Sequence, residues 1–300
     1  MSSVDWTFGG TWPYEPRWYD SPDGRMHYID EGPRDGKPVV MVHGNPTWAY
    51  LYRNFVGPLT DAGYRAIAID HLGFGRSAKP DDASLYTIAR HVDRAEALLE
   101  SLDLQDATPV TQDWGGPIGL GWATRHPERI RSLMILNTFA HRPPEKVKLP
   151  PPLVAFRIPV VGEVMVKGLN LFKHVFLFRA GVVKRDRLTP EVKRAYLAPH
   201  PTWSSRTPVL VFPREIPAGP EGEVSDLLAE IESGLAAFAD RPVGICWAMK
   251  DIAFTPEILD RLWLQTFPDA DVTRIADAGH YLQEDAYEVI VPELLKLLER

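Results

Sequence analysis

The chain has 300 residues, 45% of them apolar and 24% charged, enough for one large domain with an inserted subdomain. A net charge of −7 argues against nucleic acid or an anionic membrane as the main partner, and no apolar run is long enough to span a bilayer. One cysteine, Cys246, rules out an internal disulfide and suits a reducing compartment. The opening MSSVDWTFGG has neither the basic nor the apolar region of a secretory signal, so a cytoplasmic location is expected. The nine histidines are scattered and neither HExxH nor CxxC occurs, so no metal and no cofactor are expected.

In chain order, RWYDSPDGRMHYID reads as a hairpin turning at Pro22-Asp23-Gly24. PVVMVHG (38–44) and YRAIAID (64–70) are strand-like and nearly all apolar, as in a parallel sheet covered on both faces. Ile88, Val92, Ala95, Leu99 and Leu102 then follow helical spacing. VTQDWGG (110–116) has the form of a strand, a tight turn and a helix start, although Pro109 is disfavoured inside a central strand. SLMILNT (132–138), RPVGICWAMKD (241–251) and VTRIADAGH (272–280) are further strands, with a helix through Leu228, Ile231, Leu235 and Phe238. The alternation predicts a doubly wound, mostly parallel α/β sheet.

It breaks between 140 and 216. Proline-rich HRPPEKVKLPPP and RTPVLVFPREIPAGP bound helix-like pieces such as EVMVKGLNLFKHVFLF and TPEVKRAYL. Too many large apolar residues lie there for a solvated linker, so a helical insertion is expected, leaving 1–139 and 217–300 as the core domain.

A nucleophile elbow needs small residues two positions either side of its apex, and Thr111 and Gly115 flank Asp113 in that way. Alone, the stretch could equally be a plain turn with an N-capping aspartate. Three other pieces sit at strand ends: HGNP (43–46), AMKD ending at Asp251, and DAGH ending at His280. The order nucleophile, acid, histidine is that of α/β-hydrolases.

Together HGNPTW, DHLGFGRSAKP, QDWGGP, MKDIAF and GHYLQED resemble the haloalkane dehalogenases of the α/β-hydrolase superfamily, over residues 43–285. The resemblance implies that the insertion is a cap and that Asp113 is the nucleophile, His280 the base and Asp251 the acid. In one branch of the family the acid is a Glu after the sixth strand. Here Ala140 and His141 stand there, which points to Asp251. The halide donors implied are the Trp114 indole and the Asn45 amide, and the oxyanion hole the backbone N–H groups of Asn45 and Trp114. Trp203 is a lesser candidate donor, read here as a packing residue.

A carboxylate suits displacement at a saturated carbon, and it is already ionised at neutral pH. The expected partners are a small apolar halogenated substrate, water and the halide released. Epoxide hydrolysis is the alternative, but it needs two cap tyrosines and the insertion has only Tyr196. Fluoroacetate-type dehalogenases carry Arg where Trp114 stands. A ligand receptor or a luciferase of the same fold is the alternative outside hydrolysis.

Overall fold

A computed structural model describes residues 4–300. Eight strands form one sheet: β1 (Arg17–Ser21), β2 (Gly24–Glu31), β3 (Pro38–Val42), β4 (Arg65–Ile69), β5 (Thr108–Asp113), β6 (Leu133–Thr138), β7 (Val243–Ala248) and β8 (Asp271–Ile275). Their spatial order is β1-β2-β4-β3-β5-β6-β7-β8. β2 runs antiparallel to β1 and β4, and all other pairs are parallel.

Successive residues of a strand face opposite sides, and the packing follows that period. Val40, Val42, Ile67 and Ile69 join one core with Val92, Leu99, Ile118 and Ile231. Val39, Met41, Ala66 and Ala68 join another with Phe55, Leu59, Ile290 and Leu294. The first face is covered by α2 (Ile88–Ser101), α3 (Gly115–Arg125) and α7 (Glu223–Gly234). The second is covered by α1 (Arg53–Asp61) and the C-terminal helix Leu282–Leu298. This is the doubly wound α/β arrangement expected from the sequence.

Pro109 does lie in a central strand. Its partner on β3 is Val40, and pairing of β5 with β6 runs from Val110↔Met134 onward after an isolated bridge at Ala107↔Ile130. The residue without an N–H thus falls where the β5–β6 ladder is already interrupted.

Between β6 and α7 lie α4 (Pro151–Arg157), π-helices at Glu163–Gly168 and Phe172–Gly181, α5 (Pro190–Leu197) and α6 (Thr207–Glu215). α6 occupies the proline-rich stretch read as a boundary. Pro208 stands in its first turn, where a missing N–H leaves no helical bond unmade. Thr189 caps α5, its side chain accepting from the Val192 N–H. The inserted helices are tied to the core by the Trp48 indole, which donates to the Ala195 carbonyl at 3.0 Å. The Tyr196 hydroxyl donates to buried Glu284, which also takes the Arg53 guanidinium, with Nη2–Oε2 at 2.6 Å. Among the described residues no helix is long and apolar enough to cross a membrane.

Candidate active site

The strand order reverses around β3, and ligand sites in open α/β sheets lie beyond the C-terminal strand ends at such a switch point. Asp113 ends β5 with φ 52°, a left-handed conformation sparsely populated by residues other than glycine and least unfavourable for Asn and Asp. The turn is held by close packing. A Cβ on Gly44 would stand 2.5 Å from the Asp113 Cβ, and one on Gly115 2.1 Å from the Val42 carbonyl oxygen. The Thr138 hydroxyl donates to the Asp113 carbonyl from β6.

The loop after β3 brings the Asn45 backbone N–H to 3.3 Å from Asp113 Oδ2. The Asn45 amide Nδ2 donates to the Val209 carbonyl of α6 at 3.2 Å, and the Tyr281 hydroxyl donates to the Asn45 carbonyl at 3.1 Å. Trp114 begins the helix after the elbow. Its ring packs edge-on against Phe139 and Phe212, at centroid distances of 5.0 and 5.8 Å.

His280 follows β8 and faces Asp113, with Nε2 3.9 Å from Oδ1. Its Nδ1 is 2.9 Å from Asp251 Oδ2. Asp251, after β7, is fixed twice more: Asn137 Nδ2 donates to Oδ2 at 3.0 Å and the Ala253 N–H to Oδ1 at 2.7 Å. Asn137 is itself held, its Oδ1 accepting the Ala248 N–H at 2.6 Å. Phe254 stacks on the imidazole at 5.5 Å. Gln112, one residue before Asp113, donates from Nε2 to the His280 carbonyl at 3.0 Å and lies 3.3 Å from His280 Nε2.

Burial pushes the Asp113 carboxyl up to about 6, against His280 and the Trp114 and Asn45 N–H groups, which favour its ionised form. Burial opposes charge on His280, but the hydrogen-bonded Asp251 carboxylate and then Asp113 outweigh it and hold the imidazole above its ordinary value. The imidazole therefore lies between two carboxyl groups, Asp113 facing Nε2 and Asp251 bonded to Nδ1. Once Asp113 is esterified, one of the two charges that raise His280 is gone, so the imidazole holds a proton less tightly and its neutral form, the one that can act as a base, is favoured.

The five residues singled out in the sequence thus converge at one end of the sheet. Trp203 does not join them. It is half exposed, with the Lys167 ammonium 5.5 Å from its ring centre, and is not the packing residue expected. Tyr196 is buried with its hydroxyl given to Glu284. Phe172 and Leu177 of the FKHVFLF stretch form the buried side of their helix. Gln112, Asn137, Tyr281 and the Val209 carbonyl escaped the sequence reading. Gln112 and Tyr281 lie inside QDWGGP and GHYLQED, next to Asp113 and His280, whereas nothing in the sequence marks Asn137 or Val209.

A profile of the alpha/beta hydrolase fold matches residues 37–287. The chain is 39% identical to the cis-3-alkyl-4-alkyloxetan-2-one decarboxylase of Shewanella oneidensis, over 94% of this chain and 87% of that one. It is 32% identical to haloalkane dehalogenase 2 of Mycobacterium bovis, over 95% of each. The crystal structure of haloalkane dehalogenase DbeA from Bradyrhizobium elkani superposes with a TM-score of 0.86 at 29% identity, covering 95% of this chain and 97% of that one. An elbow, a paired histidine and this sheet define an α/β hydrolase, and within that class the chain belongs to the haloalkane dehalogenase family.

Proposed function

We propose that the chain hydrolyses haloalkanes to alcohol and halide through an alkyl ester on Asp113. The observation that carries this reading is a carboxylate at the elbow apex, faced by a histidine that a second carboxylate orients. Asp113 attacks the carbon bearing the halogen, the carbon–halogen bond breaks, and the halide leaves with the bonding pair. A halide needs no proton, only N–H donors in a dry site, which the Trp114 indole and the Asn45 amide supply. His280 then takes a proton from water, and the hydroxide formed adds to the ester carbonyl of Asp113. The Asn45 and Trp114 backbone N–H groups stabilise the resulting oxyanion, Asp251 stabilises the imidazolium, and collapse releases the alcohol. Residues 140–216 act as the cap that covers this site and excludes water.

The test separates the two halves. In His280→Phe, mixed with 1-bromobutane, displacement is intact and ester hydrolysis is not. About one bromide per subunit is released, and the protein gains one butyl group, on Asp113. Steady turnover in that variant, or an adduct elsewhere, refutes the mechanism.

The 39% identity to oxetanone decarboxylases favours a second reading at the same site. In an oxetan-2-one, C4 is a saturated carbon whose leaving group is the ring carboxylate. Attack by Asp113 at C4 breaks the C4–O bond and frees a carboxylate to the same N–H donors. Loss of carbon dioxide from C3 then forms the C3–C4 double bond and expels Asp113. A bromoalkane and a 3,4-dialkyl-oxetan-2-one assayed side by side distinguish the readings by product: bromide and alcohol, or alkene and carbon dioxide. Tyr196, the insertion's single tyrosine, is already bonded to Glu284, which weighs against epoxide hydrolysis.

A further inference from the structure

The net charge of −7 averages over a surface that is not uniform. Between residues 140 and 180 the chain carries seven Lys or Arg, of which only Lys173 is buried, and two Asp or Glu, so the surface of this stretch is cationic in an acidic protein. Of the two acids, Glu163 is already paired with Arg214 at 2.7 Å. Lys146, Lys148 and Arg179 are exposed.

The same stretch is apolar on its outer side. Thirteen large hydrophobic side chains are exposed among the described residues, and eight of them lie between 147 and 175. A helix that buries one side normally turns polar residues to solvent. Here Phe156, Val166 and Phe172 face the core, while Val154, Ile158, Val161, Val164 and Leu169 face out. The tip is Ile158-Pro159-Val160-Val161, between α4 and the first π-helix, and Val160 is 72% exposed. Val160 also has φ 65°, where a β-branched residue is strained. Exposed Trp203 extends the face beside Gly168, with the Lys167 ammonium over its ring.

Exposed apolar side chains concentrated on one inserted stretch that also exposes Lys146, Lys148 and Arg179, with Trp203 beside Lys167, have the chemistry of a surface that dips into a bilayer interface. Its exposed cations match anionic headgroups, which attract each nearby Lys or Arg. It does not match a second copy of this chain presenting the same cationic face. We propose that the outer face of the helical insertion, with the 158–161 tip at its centre, docks on anionic membrane surfaces. This holds whichever reaction the site performs, and it brings the covered site to the phase in which apolar substrates dissolve.

The test is flotation of the full-length protein with phosphatidylcholine vesicles, with and without phosphatidylglycerol, and needs no substrate. The protein is expected to float with the anionic vesicles and to be released as salt is raised. Val160→Glu with Val161→Glu should weaken binding by roughly tenfold or more, and so should Lys146→Glu with Lys148→Glu. Both pairs lie outside the catalytic machinery and should release halide from a water-soluble bromoalkane as the parent does. The lysine pair, which is exposed, keeps the test open if the valine pair folds poorly. Absence from all vesicles overturns the proposal, as does equal binding with and without phosphatidylglycerol. So does a parent that stays off vesicles but self-associates through a contact that Val160→Glu breaks, since a second copy then covers the face.

Discussion

If Asp113 is held ionised for chemistry in a place that does not favour its charge, removing the charge should stabilise the fold. Asp113→Asn is the cleanest perturbation, because Asn is nearly isosteric and also tolerates a positive φ. Burial lifts the carboxyl from 3.8 to about 6. The folded state thus binds its proton more tightly than the unfolded chain, and ionisation destabilises the fold. Below pH 3.8 both states are protonated and the penalty is absent. It grows through the window from 3.8 to about 6 and is fully present above it. At about 1.4 kcal/mol per pH unit the full penalty amounts to about 3 kcal/mol. Urea unfolding at pH 7.5 should therefore show Asp113→Asn more stable than the parent by about 2–3 kcal/mol, with no turnover. Near pH 4 the two proteins should unfold almost together. An equal or less stable variant at pH 7.5, or a gain that persists undiminished near pH 4, would refute the account of why this carboxylate is perturbed.

The remaining expectations concern the partners of Asp113. Asp251→Asn keeps the packing around Asn137 and Ala253 but cannot stabilise an imidazolium, so steady turnover should fall by about 10⁴-fold. Near-normal turnover would assign the acid elsewhere. Bromide should quench part of the tryptophan fluorescence of the parent, and Trp114→Phe should lose that signal and bind bromide at least about tenfold more weakly, since a hydrogen bond to an anion contributes roughly 1.5–3 kcal/mol. Undiminished binding would refute the Trp114 role. Gln112 donates from Nε2 to the His280 carbonyl, which aims the other amide N–H at the imidazole Nε2 and opposes a proton there. Gln112→Met should shift the pH midpoint of ester hydrolysis upward by up to about one unit. An unmoved midpoint in a folded variant would leave Gln112 a packing residue.

What the sequence disclosed and what it withheld follow from how each contact is encoded. β3, β4, β6 and β7 were legible because each buries a run of apolar residues, and Val39 to Val42 alternate between two cores as the pleat requires. Asp113, Asp251 and His280 were legible because each ends or follows a strand, where an aspartate or histidine interrupts an apolar run. Local chemistry misled in two places. Proline argued for boundaries, yet Pro109 falls at a gap in the β5–β6 ladder and Pro208 in the first turn of α6, the sites where a lost N–H matters least. The supporting shell was hidden for another reason. Asn45 is held by the carbonyl of Val209, 164 residues away, and every residue type offers the same carbonyl. Asn137 reads as one more residue of SLMILNT until β6 and β7 are seen side by side, when its amide joins the Ala248 backbone to the Asp251 carboxylate. A side chain chosen for its chemistry leaves a mark in its own neighbourhood of the sequence. A backbone group chosen for its position leaves none, and in this protein such groups set how far Asn45 and the imidazole can move.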